Sequence, residues 1–195
     1  MPIRLNGSTS GFTELSAPAV AGNNSITFPT TSGTAVVNGA NSAIVSGTAI
    51  ASTSGTSIDF TGIPSWAKRV TVMFSGVSTS STSPVLIQLG AGSVETSGYN
   101  STGMYGQATS MAHTTSTAGF ISYTYATADV KSGIIQLATL GANTWVASGW
   151  LKISTTQSTS CMGDKTLSGT LDRVRITTVN GTDTFDAGSI NLLWE

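Results

Sequence analysis

His113 is the only histidine of the chain, so any histidine-based chemistry must use this residue. A Ser-His-Asp triad built on a Gly-x-Ser-x-Gly turn needs a strand before the serine and a helix after it. The chain contains many serines, but we predict no helix to follow such a turn. We therefore interpret His113 as a loop or interface residue and expect a protein that is not an enzyme.

The carboxylates could form a metal site or an acid–base pair. Asp183 and Asp186 share a short segment with Asn180, and their oxygens could serve Ca²⁺, which takes about six to eight oxygen ligands. The spacing differs from that of an EF-hand, and Asn and Asp side chains commonly cap turns. Glycoside hydrolysis needs two opposed carboxylates, and the sequence does not pair the remaining acids. We expect a turn here, and neither a metal nor a cofactor.

The single thiol and the indoles point to structure rather than reactivity. Cys161 is the only cysteine, which excludes an internal disulfide and a cysteine-based zinc site. A lone cysteine commonly behaves as a small hydrophobic residue. Trp145 and Trp150 fall on opposite faces of one predicted strand. At most one of them can belong to a single core, so the other covers the second face, a subunit contact or a binding surface.

The region Ser93–Ser116 is the best candidate for a binding surface. It combines Tyr, Ser, Gly and Asn, with which recognition loops provide rigid aromatic area and short hydrogen-bonding groups. The candidate residues of this recognition loop are Tyr99, Asn100, Tyr105, Gln107, Met111 and His113. The same composition also describes an inert, protease-resistant loop, so the sequence leaves both interpretations open.

Charge is scarce throughout the chain. Charged residues make up 9% of the 195 residues, against about 25% in typical soluble domains. The formal net charge is -1, and the scattered basic residues form neither a stripe for nucleic acid nor a polybasic cluster for lipid. Because the basic residues are scattered, we expect no nucleic-acid binding. Because the chain has no apolar run of about 18 residues, we expect no membrane insertion. A neutral, hydroxyl-rich surface suits protein that stays packed against protein.

Period-2 alternation and regularly spaced turns predict a β-domain over residues 48–195. The predicted strands are Ser57–Phe60, Lys68–Gly76, Pro84–Gly90, Gly119–Tyr125, Gly133–Leu140 and Thr144–Ser154, the last two joined by a tight turn at Gly141–Asn143. Ala91–Ala118 must hold at least one strand despite weak alternation, and Thr155–Leu167 is interpreted as a polar loop. The pattern predicts an all-β fold, an antiparallel jelly-roll-like β-sandwich.

Residues 1–47 are predicted to form a separate, irregular and extended segment. They are rich in Gly, Ser, Ala, Asn and Thr, and Pro18 and Pro29 exclude a long helix. Short strands alone cannot build a core. We therefore expect this segment to be ordered by neighbouring copies or by a partner.

The end of the chain is predicted to form two strands, Asp172–Val179 and Ser189–Glu195. In the second strand Ile190, Leu192 and Trp194 share one face. Most chains end in a frayed and polar tail, whereas this end is apolar. We therefore predict that it is tied into a sheet or a subunit interface, with these three residues as the candidate subunit interface.

Two parts of the chain carry short motifs that together span most of its length. The N-terminal motif comprises Leu5–Gly11, Ala17–Ala19, Ala21–Pro29 and Gly33. The C-terminal motif comprises Ile58–Pro64 with Lys68–Gly76, and Leu171–Ile176 with Asp186–Ile190. Both motifs resemble those of bacteriophage virion appendage proteins, the tail fibre and head fibre family, which usually have Leu at the position of Phe28.

The resemblance implies a viral structural protein of the virion, assembled in the host cytoplasm as a homotrimer. It would project from the particle as a fibre or capsid decoration and could contribute to host attachment. Residues 1–47 would attach it to other virion structural proteins. The alternative is a carbohydrate-binding adhesin, a receptor-binding protein that contacts a host surface glycan through Ser93–Ser116.

Overall fold

The computed structural model describes residues 3–6, 9–15 and 44–195 of the chain. The chain divides into two compact units, Met1–Ala35 and Val36–Glu195. In the first unit, strand β1 (Ile3–Asn6) pairs antiparallel with β2 (Phe12–Leu15). In the predicted irregular segment, the strands before residue 16 thus form a hairpin, and most of the N-terminal motif lies outside the described residues.

The second unit, where it is described, consists of strands, turns and bends without a helix. Its strands are β3 (Val45–Ser46), β4 (Ile50–Ala51), β5 (Ser57–Thr61), β6 (Arg69–Thr79), β7 (Val85–Ala91), β8 (Ser93–Val94), β9 (Tyr99–Gln107), β10 (Ser110–Ser116), β11 (Phe120–Ser122), β12 (Lys131–Gly141), β13 (Thr144–Lys152), β14 (Ser158–Thr166), β15 (Arg173–Thr178) and β16 (Phe185–Trp194). Because β3 pairs with β16, residues before the predicted boundary at 47 already belong to this unit.

These strands form two sheets in which every pairing is antiparallel. The larger, nine-stranded sheet has the order β10-β9-β14-β13-β12-β6-β16-β3, with β4 beside β16. The smaller, five-stranded sheet has the order β11-β7-β15-β5, with β8 beside β7. The predicted all-β antiparallel fold is confirmed, and the jelly-roll connectivity stays a prediction.

The core is formed by the inward side chains of both sheets. On β6 the alternating residues Val70, Val72 and Phe74 are buried, and on β15 Val174 and Ile176 are buried. All five belong to one hydrophobic cluster. Burying one side chain of this size stabilises a fold by about 1.5–3 kcal/mol. Alternation along the clear strands therefore identified the core correctly.

The two terminal strands lie in different sheets, since β15 pairs with β5 and β7 whereas β16 pairs with β6. Ile190 and Leu192 are fully buried in the core of their own chain, and Trp194 packs against that core. The prediction of a subunit interface is therefore wrong for Ile190 and Leu192. An apolar terminal strand needs an apolar environment, and here the core between the sheets supplies it.

Two segments with weak alternation also form strands. Ala91–Ala118 contains β8, β9 and β10, so the candidate recognition residues lie on a hairpin rather than on a loop. The predicted polar loop Thr155–Leu167 is wrong, because it contains β14 between β9 and β13. Small residues allow close contact here. A Cβ atom on Gly103 would lie 2.6 Å from the carbonyl oxygen of Ile121.

The tight turn predicted between β12 and β13 is confirmed. Ala142 and Asn143 have positive φ angles of 47° and 61°, as the two central residues of a type I′ turn require. The turn sets the register of the two strands. As a result Ile134 lies beside Trp150 on the outer face of the larger sheet.

Candidate binding face

Tyr99, a candidate recognition residue, is only 3% exposed. Its hydroxyl accepts a hydrogen bond from the Leu89 amide at 2.6 Å and donates to the Glu95 carbonyl oxygen at 3.0 Å. Burial raises the pKa of this phenol. The ring meets Phe120 edge-on, with the ring centroids 5.2 Å apart. Tyr99 therefore connects β9 to β7 by hydrogen bonds inside the core. The prediction of an exposed aromatic side chain at this position is wrong.

Tyr105 is also buried, at 1% exposure. Its ring stacks on Tyr125 with the centroids 4.7 Å apart and an interplanar angle of 3°. Its hydroxyl donates to Gln107 Oε1 at 2.6 Å. The same oxygen accepts from Gln157 Nε2 at 2.8 Å, and Gln107 Nε2 donates to Ser110. Tyr105 is thus a packing residue rather than an exposed aromatic, and both ends of the Gln107 amide are engaged.

The other three candidate recognition residues, Asn100, Met111 and His113, are exposed on the outer face of the larger sheet. His113 on β10 lies opposite Met104 on β9. Asn100 lies beside Asp164 of β14 and donates a hydrogen bond to its carboxylate at 3.0 Å. The sequence therefore identified one part of an exposed surface whose centre lies on other strands.

The centre of this surface is an apolar patch. Ile134 on β12 lies between Trp150 on β13 and Met73 on β6 in the strand register, and all three side chains point outward. Trp150 is 57% exposed and Ile134 is 48% exposed. We call the outward set Met73, Met104, Met111, Ile134, Trp150 and Met162 the Met/Trp face. It contains every methionine that follows Met1.

Two rows of side chains cross this face perpendicular to the strands. The first row is His113, Met104, Ser160, Trp150, Ile134, Met73 and Asn191, and the second is Thr115, Thr102, Met162, Ser148, Gln136, Thr71 and Leu193. Neither row contains Lys, Arg, Asp or Glu. The rows on either side carry the charges, with Lys152 on one side and Asp164 and Arg69 on the other. The face therefore has a centre without Lys, Arg, Asp or Glu, in which apolar side chains alternate with hydroxyl and amide groups, and a charged rim.

The outer face of the smaller sheet is covered differently. Arg175 forms two hydrogen bonds to the Asp59 carboxylate, at 2.6 and 2.8 Å. Leu86 also points outward, but it is only 2% exposed, and Gly119 lies against it. A Cβ atom on Gly119 would lie 3.1 Å from the Leu86 Cβ atom, and Gln88 Nε2 donates to the Ala118 carbonyl oxygen at 2.9 Å. This face leaves no comparable apolar centre open among its described residues.

A shallow cleft of about 410 Å³ opens where β9, β10 and β14 meet. Its lining includes Asn100, Thr102, Thr115 and Met162. The first three side chains can donate and accept hydrogen bonds. The cleft thus adds hydrogen-bonding groups to the β9–β10 end of the Met/Trp face.

Lys131 is a buried cation at the start of β12. Its Nζ atom donates to the Tyr123 carbonyl oxygen at 2.8 Å. Burial lowers the pKa of Lys131 from 10.5 to about 8, and Asp129 acts in the opposite direction. The Asp129 carboxylate accepts hydrogen bonds from the Tyr125 and Ala126 amides at 2.6 and 3.1 Å. Both groups are engaged by backbone, so they organise the segment between β11 and β12.

Two further titratable groups of β14 point into the structure. Burial raises the pKa of the Cys161 thiol to about 12, so the thiol stays protonated near neutral pH and packs as a small hydrophobic side chain. Lys165 forms an ion pair with Glu95 at 2.6 Å. Burial acts to raise the pKa of Glu95, but hydrogen bonds from Lys165 and Ser168 outweigh it and lower that pKa. These groups stabilise the fold rather than forming an open reactive site.

The predicted turn lies between β15 and β16 and includes Asn180 and Asp183, whereas Asp186 lies on β16. Asn180 Oδ1 accepts hydrogen bonds from the Thr182 and Asp183 amides at 3.0 and 3.1 Å, and Asp183 Oδ2 accepts from the Ser83 amide at 3.0 Å. Backbone amides thus engage these oxygens. In the described ranges, no group of three or more His, Cys, Asp or Glu side chains is placed to hold a metal ion. No helix of those ranges is long and apolar enough to cross a membrane.

Known proteins do not assign this chain to a family. No protein-family model matches it, and neither a curated protein nor a solved structure matches it significantly.

Proposed function

We propose that this chain is a structural protein of a bacteriophage virion, without enzymatic activity, that projects from the particle as a homotrimeric fibre or decoration. The observation that carries the proposal is the Met/Trp face on a domain with few charges. Trp150 and Ile134 at its centre are about half exposed. Contiguous apolar patches on soluble proteins mark contact sites, so the chain is suited to work within an assembly.

The sequence motifs support the virion as that assembly. The C-terminal motif falls on β5, β6, β15 and β16, which build the core of the domain. In this proposal residues 1–47 attach the domain to other virion structural proteins during assembly in the host cytoplasm. The domain then faces away from the particle and can contribute to host attachment.

Immunogold labelling of purified, intact particles with an antibody against residues 48–195 tests the proposal. We expect label at fixed positions on the tail or the capsid, because a structural protein occupies defined sites. The matched control is the same particles incubated with pre-immune serum. If the chain is abundant in the lysate but never labels or co-purifies with particles, the virion proposal is wrong.

A second candidate function is a carbohydrate-binding adhesin, favoured by the cleft at the β9–β10 end of the Met/Trp face. Because Tyr99 and Tyr105 are buried, the binding groups in this version are Asn100, Thr102 and Thr115. Their amide and hydroxyl groups can pair with sugar hydroxyls.

Glycan-array binding by the full chain tests the adhesin. Asn100→Ala or Thr115→Ala is expected to weaken binding about tenfold, since one lost hydrogen bond costs about 1–1.5 kcal/mol. Thr61→Ala, an exposed threonine on the smaller sheet, serves as the matched control and should bind normally. Absence of glycan binding by the unaltered chain would rule this function out.

A further inference from the structure

We infer that the Met/Trp face packs against the same face of neighbouring copies of this chain, around the symmetry axis of the assembly. The inference rests on the proposed homotrimer for the number of copies but not for the choice of surface. The predicted contact through Ile190 and Leu192 is unavailable, because both side chains are fully buried in the core. The contact between copies must therefore use a different surface.

The composition of the Met/Trp face fits the centre of a protein interface. Such centres are depleted of charged residues and enriched in aromatic residues and Met, and they are surrounded by a polar rim. Here both central rows lack charged side chains, and Lys152, Asp164 and Arg69 lie in the rows outside them. Methionine side chains are flexible and polarizable, so they can adjust to an opposing surface.

The size of the face is also appropriate. Seven strands, from β10 to β16, cross it in the order of the larger sheet, and a spacing of about 4.8 Å gives a width of about 29 Å. Four rows of outward side chains, spaced about 6.7 Å apart, give a height of about 20 Å. The resulting flat area of about 600 Å² approaches the roughly 800 Å² per partner that stable interfaces bury.

A further copy of this chain is the occupant that the charge pattern favours. When identical faces meet around an axis, each row lies near its own counterpart or near another row of the same face. Because both central rows are uncharged, such a contact brings no like charges together at its centre. Trp150 and Ile134 lose their remaining exposure there, and Lys152 stays at the rim in water.

Light scattering coupled to size-exclusion chromatography of the full chain tests this contact. We expect a mass of three times 19.8 kDa, about 59 kDa, for the unaltered chain. Trp150→Lys and Ile134→Lys should each reduce the mass about threefold, because they place charge at the uncharged centre. Far-ultraviolet circular dichroism should stay unchanged, since both side chains already contact water. Val179→Lys, at another exposed apolar residue outside the face, should keep the full mass.

Disulfide cross-linking supplies a second readout that does not depend on a disruptive charge. Ser148→Cys introduces a thiol into a central row, and Cys161 does not interfere because it is fully buried. Under mild oxidation we expect covalent dimers of Ser148→Cys on a non-reducing gel. The matched variant Thr61→Cys, on the smaller sheet, should remain uncross-linked.

The outcomes separate this inference from the proposed function. A chain that is monomeric at every concentration overturns the inference, and so does an assembly that survives Trp150→Lys without Ser148→Cys cross-links. A dimer that Trp150→Lys dissociates supports the contact surface and contradicts the trimer. A trimer with these properties that never labels particles supports the surface and contradicts the virion proposal.

Discussion

The two outer faces of the domain differ in how they are covered. On the smaller sheet, Arg175 pairs with Asp59, and Gly119 lies against the buried Leu86. On the larger sheet, Trp150 and Ile134 have no such cover and remain about half exposed. Both faces come from strands with the same alternation, so the position of a residue on the outward side does not fix its environment. The difference is therefore one of exposure: the larger sheet leaves large apolar side chains open to solvent at its centre, and the proposed contact between copies would cover them.

Matched truncations of outward aliphatic side chains test this difference most strongly. Leu86→Ala should lower the free energy of unfolding by about 2–5 kcal/mol, because it leaves a cavity at a buried position. Ile134→Ala should cost less than about 1 kcal/mol in the dissociated chain, since water already contacts this side chain. Urea unfolding followed by tryptophan fluorescence measures both values. Equal losses for the two variants would contradict the contrast between the faces.

The buried Lys131 tests the interior beneath the Met/Trp face, because it begins β12 on the inward side. Its pKa of about 8 lies below its usual 10.5, which corresponds to a penalty of about 3 kcal/mol for folding with the charged amine at neutral pH. Lys131→Met should therefore stabilise the chain at pH 7 by about 2 kcal/mol, after loss of one hydrogen bond worth about 1 kcal/mol.

The stability difference between Lys131→Met and the unaltered chain should change with pH in one direction. Below pH 8 both the folded and the unfolded states bind the Lys131 proton, so the difference between variant and unaltered chain is constant. Between pH 8 and 10.5 only the unfolded state keeps the proton, so the unaltered chain gains stability relative to Lys131→Met. Urea unfolding of both proteins across this range measures the change, and other titrating groups cancel in the difference. If the stability advantage of Lys131→Met grew between pH 8 and 10.5, the lowered pKa of Lys131 would be contradicted.

The smallest expected effect is that of the Arg175–Asp59 pair on the smaller sheet. Both side chains are partly exposed, at 36% and 44%, and ion pairs in such places contribute about 0.2–1 kcal/mol. A double-mutant cycle with Arg175→Ala and Asp59→Ala should give a coupling energy in this range that decreases with added salt. A coupling energy above about 2 kcal/mol that is insensitive to salt would contradict this expectation, because it would mean that the pair behaves as a buried ion pair.

The candidate site was harder to predict than the core. Alternation placed Val70, Val72 and Phe74 inward because burial repeats with the period of a strand. It did not identify the Met/Trp face, because Met73, Met104 and Met162 lie on separate strands that only the sheet order brings together. The one usable signal was Trp150, which could not share a single core with Trp145. Tyr99 and Tyr105 were misplaced because composition alone does not distinguish a buried tyrosine from an exposed one.

The amino-acid sequence by itself determined the antiparallel all-β fold, the turn at Gly141–Asn143 and the inward faces of the clear strands. These features depend on local geometry, namely the two-residue period of a strand and the positive φ angles of a type I′ turn. Only the tertiary structure decided that Ile190 and Leu192 belong to the internal core and that Trp150 lies at the centre of an exposed face. Those outcomes depend on which strands become neighbours and on what packs over them, and neither is encoded in any single segment.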